Sequence, residues 1–400
     1  MVSGVLHASS LPPALMDDPL PLHAALGKND EALALSLIRR GVDVNAKNDN
    51  GLSPVHGAAF RGYTAVLDLL KEYGANIFAQ NHTGLTALHM AAERHELDAV
   101  KWLLSHGFSK IIVTTEGCTP YISALANYPE DECVAFIGPD PLSETILALK
   151  KISHAASLRG VITLPQGSEI FIEGFPACSL FYREWTEILS DKPSLAPLIE
   201  PFSFAGRIHS FSSFEIASKI HSKSLVIIPL ESLNHAYSLT FFNNKMLFGD
   251  SLTSTIIQFD IDSSKVTDVT INAIRYFWHK KENDLLSCFF SIVKPLGMTG
   301  FSPLKNLALC KQKAGNCAYA SSKTALRVAL YCLDIDDPKR VSKELSAEFL
   351  RKSLDDWTNL KLRQGLRETS SMLAMIKAAE AKLLKKKSKL ESREKKCVIS

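Results

Sequence analysis

The sequence predicts a multidomain chain: an N-terminal α-helical solenoid, a central α+β domain, and C-terminal helices with a basic tail. Three observations carry this. His23, His56 and His89 fall 33 residues apart, as do Gly41, Gly74 and Gly107, and Gly51, Gly84 and Gly117. A fixed period of that length marks stacked units, each too small to bury its own apolar face. From about Val161, short β-rich runs alternate with helical stretches, the pattern of an α+β domain. Beyond about Asp336 the chain turns helical and charged and ends in a lysine cluster. The segments run 1–20 for an N-terminal stretch, 21–140 for about four repeats, 141–340 for the central domain and 341–400 for the helical region.

Each repeat reads as a turn, a short helix, a second helix and a glycine stop. Ala58, Ala59, Ala91 and Ala92 let paired helices approach, and Val66, Leu69 and Leu70 bury the second helix. Gly74 and Gly107 stand where a helix ends in positive φ. The runs Ser53-Pro54-Val55-His56 and Thr86-Ala87-Leu88-His89 resemble the ankyrin consensus. That resemblance implies structural histidines, bonded to the backbone of the neighbouring repeat. The fourth unit, from Gly117, has Ile122 in the histidine's place and stops early at Gly138-Pro139, as a capping repeat does. Ankyrin arrays bind proteins through loop tips and the concave face, here including Asn48, Asp49, Asn81 and His82.

The central domain offers a candidate active site. Two apolar runs flank Asn243-Asn244, residues that tolerate the positive φ of a two-residue hairpin turn. In that register Phe242 pairs with Lys245 and Tyr237 with Asp250, so His235 and Asp250 share a face near the hairpin's open end. A carboxylate there can orient an imidazole. Gly315-Asn316 then forms a loop and N-cap, and Cys317 opens a helix whose dipole lowers a thiol pKa. Gln312 stands five residues earlier, where it can donate to an oxyanion.

The chain order His–Asp–Cys resembles the papain-like cysteine proteases of permuted order, and an acetyltransferase family of similar order. The resemblance implies Cys317 as nucleophile, His235 as base, Asp250 as orienting acid and Gln312 as oxyanion donor. The sequence departs from the ubiquitin-like-protein proteases at Ala236, where they often have Trp, and at Asn316-Cys317-Ala318, where they have Asp-Cys-Gly. Each residue also has a structural reading: a buried core cysteine, a histidine at a sheet edge, a turn aspartate. Cys310 and Cys332 are weaker nucleophiles, and Asp260 and Asp262 are alternative acids.

Composition bounds the rest. No apolar run is long enough to span a bilayer. Residues Met1 to Asp18 lack a basic start and carry Asp17 and Asp18, unlike a secretory signal peptide. Eight cysteines without a Cys-x-x-Cys pair argue against a disulfide framework or a zinc site, so no metal or cofactor is expected and a reducing compartment is. The net charge is +3, yet seven lysines and one arginine between Lys382 and Lys396, set against two glutamates, contribute +6, which leaves −3 for the rest of the chain. The body is therefore slightly acidic, which excludes a nucleic-acid-binding function for it. After these lysines, Cys397-Val398-Ile399-Ser400 matches a C-a-a-X prenylation box. A host prenyltransferase would modify Cys397, and the lysines would hold the chain on an anionic membrane surface. Leu366, Leu373, Ile376, Leu383 and Leu390 recur at near-heptad spacing before it.

Repeats, a protease-like core and a prenylation box together resemble the type IV-translocated ankyrin effectors of intracellular bacteria such as Legionella. The resemblance implies a protein secreted into a host cell and held at the cytoplasmic face of a membrane. There it would act as a cysteine protease on a host protein bound by the repeats. A non-enzymatic ankyrin adaptor and an acyltransferase using the same site are the alternatives.

Overall fold

The computed structural model describes residues 19–126, 130–172, 178–232, 235–250, 255–277, 294–297, 299–304, 307 and 317–399. The chain divides into two units, residues 1–125 with 130–139 and residues 126–129 with 140–400. Each is described by itself.

The first unit is built of helix pairs: α1 (Pro21–Gly27) with α2 (Glu31–Arg39), α3 (Pro54–Phe60) with α4 (Thr64–Glu72), α5 (Ala87–Glu93) with α6 (Leu97–Ser105), and α7 (Pro120–Leu125) with α8 (Glu132–Ile137). Ala58, Ala59, Ala91 and Ala92 are fully buried, as are Val66, Leu67 and Leu70 of α4. The histidines join one repeat to the next. Ser53 N–H donates to His56 Nδ1 at 3.1 Å, which leaves the proton on Nε2 to be donated to Leu85 O at 3.0 Å. Thr86 N–H, His89 and Cys118 O repeat the arrangement at 3.2 and 3.1 Å, and His23 Nε2 reaches Ala46 O at 3.0 Å. In the last repeat Ile122 fills the histidine's place and is fully buried. An apolar residue suits it, because no further repeat follows to accept the bond.

The second unit opens with α9 (Pro141–Ala155), a small hairpin of β1 (Val161–Thr163) and β2 (Glu169–Phe171), then α10 (Cys178–Ser190), α11 (Ile199–Gly206) and α12 (Ser213–His221). An antiparallel sheet follows, in the order β3 (Val226–Ser232), β4 (His235–Phe242), β5 (Lys245–Asp250), β6 (Thr255–Asp260) and β7 (Thr299–Pro303), with α13 (Asp268–Phe277) between β6 and β7. The β4–β5 register is the expected one: Phe242 pairs with Lys245 and Tyr237 with Asp250, and Asn243 takes φ 46° in the turn. Strand alternation sorts the residues onto two faces. Tyr237, Leu239, Phe241, Met246 and Phe248 pack against Phe204, Ile216, Ile220, Ile271 and Ile274 of α11 to α13.

On the other face lies α14 (Cys317–Cys332), where Leu247 and Ile256 meet Val328. Its approach depends on Gly249. A Cβ at that position would lie 2.6 Å from Thr324 Cγ2 and 2.8 Å from Ser238 Oγ. An aromatic cluster joins α14 to α10 and to α15 (Pro338–Gln364): the Phe349 ring lies tilted 4.8 Å from Trp185 and edge-on 5.1 Å from Tyr319, and Trp185 Nε1 donates to Ser322 Oγ at 3.0 Å.

The basic segment expected as a projecting tail is part of α16 (Ser370–Ile399), a helix fixed to the unit along its first half. Thr369 Oγ1 donates to Thr163 O, and Thr163 N–H donates to Ser371 Oγ, at 2.7 and 2.9 Å. Lys382 Nζ donates to Ala156 O and Ser157 O, and Lys386 Nζ to Ala155 O, which satisfies carbonyls at the end of α9. The buried stripe is Met372, Met375, Ile376 and Ala379, while Leu373, expected on a heptad seam, is exposed. Among the described residues, no helix is long and apolar enough to cross a membrane.

Two predictions follow from this packing. Gly249→Ala should destabilise the chain by about 1–3 kcal/mol through overpacking, and Thr324→Ser should recover most of it by removing the methyl that clashes. Urea unfolding of the single and double variants reads this, and additive losses would refute it. The second concerns pH. Burial holds His89 down to a pKa of about 4, and shifts His56 in the same direction. Unfolded, both return to about 6.5. The unfolded state therefore binds more protons between these values, and the array loses stability as pH falls through that window. For His89 the loss is about 2 kcal/mol at pH 5. Hydrogen exchange across α5, corrected for intrinsic rates, should show this drop in the wild type and a smaller one in His89→Gln. Equal drops would show that His89 is not its source.

Candidate functional site

The backbone brings three of the four expected catalytic positions to one end of the sheet. His235 is the first residue of β4, Asp250 the last of β5 and Cys317 the first of α14. The side chains of these three, and of Cys397 in the last turn of α16, lie outside the described residues, as does all of Gln312. The direction of α14 is fixed by its contacts. Thr324 stands at Gly249 and Ser238, and Val328 one turn later stands at Leu247. The helix therefore runs alongside β4 in the same sense. Cys317 is seven residues before Thr324, roughly 10 Å along a helix. His235 is three residues before Ser238, again roughly 10 Å along a strand. The two backbone positions thus reach the same level of the sheet. Alternation sets them apart in another respect. Positions 235 and 250 belong to the row of Tyr237, and α14 lies on the row of Ser238 and Gly249.

Of the weaker candidates, Cys332, at the far end of α14, and Asp260 and Asp262 do not join this end. Burial pushes the Cys332 thiol up to about 12, and Cys310 lies outside the described residues. Asp260 pairs with Lys245 at the turn end of the sheet. Asp262 accepts from Ser264 N–H and Oγ–H in the following turn, which holds its carboxyl below the usual range.

A different trio is assembled in the repeats. His95 Nδ1 donates to Asp131 Oδ1 at 2.9 Å, and the nitrogen, carboxylate and Cys133 sulfur ligand atoms all lie within 4.8 Å of one another. Asp131 is the N-cap of α8, its Oδ1 also accepting from Cys133 N–H at 2.8 Å. Burial first, and then the Asp131 and Glu96 carboxylates, push the Cys133 thiol up to about 11. That environment suppresses the thiolate a nucleophile needs. The donor set of N, O and S is of the kind a zinc ion accepts, although Asp131 already holds His95. Sequence reasoning passed over this trio, but the period carried a signal. Asn29, Gly62 and His95 occupy the same place in successive repeats, all with φ between 61° and 72°. Asn29 Oδ1 accepts from Tyr63 in the next repeat at 2.8 Å, and His95 reaches Asp131 in the same way. The contact stitches one repeat to the next.

The loop tips expected to bind also have a structural role. Asn48 Oδ1 accepts from Asn50 and Leu52 N–H, and Asn81 Oδ1 from Thr83 and Leu85 N–H, so both build their own loops. The His82 ring stands where a Cβ on Gly51 would meet it at 3.0 Å. Exposed apolar side chains lie at another beat: Phe78 is 53% exposed and Ile111, 33 residues later, is 58% exposed. Asn45 holds the same place one repeat earlier and is occupied in bonds to Gly74 O and Asn76 N–H.

Comparison with known proteins agrees with the array. The family model for ankyrin repeats in three copies matches residues 21–114 and 56–138. No curated protein matches the chain. Among solved structures, the Legionella effector AnkH is similar in fold, with a TM-score of 0.62 and 19% identity, over 91% of this chain and 84% of that one. The chain is an ankyrin-repeat protein structurally related to that effector.

Proposed function

We propose that the chain is an effector of the adaptor type, acting inside a host cell, where its repeats bind a host protein. The observation that carries this reading is the pair Phe78 and Ile111. Each stands at a place where Asn45 is consumed in stitching repeats together, and each is more than half exposed. Covering them with a partner would gain on the order of 1–2 kcal/mol apiece, the scale of an interface anchor. The likeness of fold to a protein described as a Legionella effector supports the host-cell setting.

A second reading, a thiol hydrolase or acyltransferase, is favoured by the common level of Cys317 and His235. In it the Cys317 sulfur attacks a carbonyl carbon and His235 gives its proton to the leaving group. Asp250 orients the imidazole and Gln312 donates to the oxyanion. The acyl-enzyme then passes to water or to an acceptor amine. It ranks second because positions 235 and 250 belong to the row opposite the one under α14.

One experiment separates the two. Host cells express wild type, Cys317→Ala, or Phe78→Glu with Ile111→Glu, and are analysed for captured partners, new protein N-termini and new acylation. The adaptor reading expects the same partners with wild type and Cys317→Ala, and loss of at least tenfold in capture with the double variant. Cleavage or acylation that vanishes in Cys317→Ala would replace it with the enzyme reading.

A further inference from the structure

The later second helices of the array each start on a residue that meets the left-handed turn of the repeat before. Tyr63, the N-cap of α4, donates to Asn29, and Glu96, the N-cap of α6, brings its carboxylate to the place where a Cβ on Gly62 would lie. Asp131, the N-cap of α8, meets His95. Asn29 shows that an amide is enough to make this contact, and glycine or asparagine suits the positive φ of the turn at least as well as histidine. Neither the contact nor the backbone therefore calls for an imidazole at position 95. What the imidazole adds is a metal-binding nitrogen beside a carboxylate and a thiol. Cys133 is fully buried, the His95 side chain is 8% exposed and that of Asp131 37%. Their ligand atoms lie within 4.8 Å of one another. Around a tetrahedral zinc ion, ligands at about 2.0–2.3 Å stand about 3.3–3.6 Å apart, so shifts of about 1 Å close the trio on an ion.

We propose that His95, Asp131 and Cys133 bind a zinc ion that ties the third repeat to the last. Imidazole and thiolate select a borderline ion of this kind over calcium or magnesium, which take oxygen ligands. A carboxylate has two oxygens, so Asp131 can cap α8 through Oδ1 and ligate through Oδ2. On binding, the Cys133 thiol gives its proton to solvent and the imidazole ligates in its neutral form. A water completes the tetrahedron. Two carboxylates, Asp131 and Glu96, stand close enough to act on the Cys133 sulfur, so the site carries negative charge suited to a dication. No spacing motif announces the site, because its ligands come from two repeats and include a single cysteine.

The test is a titration of the full-length chain, reduced and freed of metal by a chelator, with cobalt(II) and then with zinc. Cobalt held by a thiolate shows a charge-transfer band, and in a tetrahedral site it absorbs strongly in the visible. The wild type should gain both with one cobalt per chain, and zinc should displace it. Cys133→Ser should lose the charge-transfer band, and Cys118→Ser, which changes a cysteine of the same unit outside the trio, should keep it. His95→Asn places in the third repeat the residue type that the first repeat has at Asn29, so the turn and its contact persist while the ligand is lost. It should weaken cobalt and zinc binding at least about hundredfold, more than the loss of an outer hydrogen-bond partner costs. Zinc should also slow hydrogen exchange across α8 at least about tenfold in the wild type and leave it unchanged in His95→Asn. Absence of a thiolate band in the wild type, its survival in Cys133→Ser, or equal affinity in His95→Asn would overturn the proposal. Zinc binding that leaves exchange across α8 unchanged would overturn the tie between repeats.

Discussion

The second unit depends on how closely α14 lies on the β4–β5 hairpin. Gly249 has no side chain because Thr324 Cγ2 and Ser238 Oγ take the space. Beneath α14 the small or polar Ser238, Thr240 and Gly249 lie beside the apolar Leu247 and Ile256, while the opposite face is built almost wholly from large apolar residues. Several features are then positioned by one rigid rod. Cys317 stands at its head, and Tyr319 and Ser322 join Trp185 and Phe349 through ring contacts and a hydrogen bond.

What could be read from the sequence follows from how locally each feature is determined. The repeats were legible because one pattern recurs, so each unit checks the others. The hairpin register was legible because Asn243 can take positive φ and side chains alternate on either side of it. The C-terminal segment was legible as a helix but not in its facing. Charge counting cannot say that Lys382 and Lys386 turn inward, since their acceptors at Ala155, Ala156 and Ser157 are more than 200 residues away in sequence. The near-heptad pattern met the buried stripe only at Ile376, for a related reason. Methionine and alanine, at Met372, Met375 and Ala379, supply the buried stripe in place of the leucines that draw the eye.

The array shows how a repeat's own period separates building from binding. Positions filled alike in successive units, such as His56 and His89, carry the bonds between repeats. Positions where the beat breaks are the informative ones. Asn45 gives way to Phe78 and Ile111: at Phe78 a hydrogen bond between repeats gives way to a ring contact with Phe108 at 4.8 Å, and both side chains leave more than half of their apolar surface exposed. Asn29 and Gly62 give way to His95, and a neutral contact gives way to an imidazole on a carboxylate beside a thiol. The loop asparagines Asn48 and Asn81 carry a role of their own, since their Oδ1 atoms accept from the nearest backbone amides. An asparagine in a tight turn serves its own loop first.

The same reasoning bears on the protease-like order of His235, Asp250 and Cys317. A thiolate–imidazolium pair requires agreement along the sheet and across it. Agreement along the sheet follows from two independent rises, seven helical residues from Thr324 and three strand residues from Ser238, both roughly 10 Å. Agreement across the sheet does not follow, because a period of two assigns 235 and 250 to the row of Tyr237. A helix packs about 10 Å above a sheet, so residues of opposite rows do not meet unless the strand ends turn over the edge. The sequence order His–Asp–Cys therefore does not by itself bring position 317 to the row of 235 and 250, because β4 and β5 are inner strands and α14 lies on the opposite row.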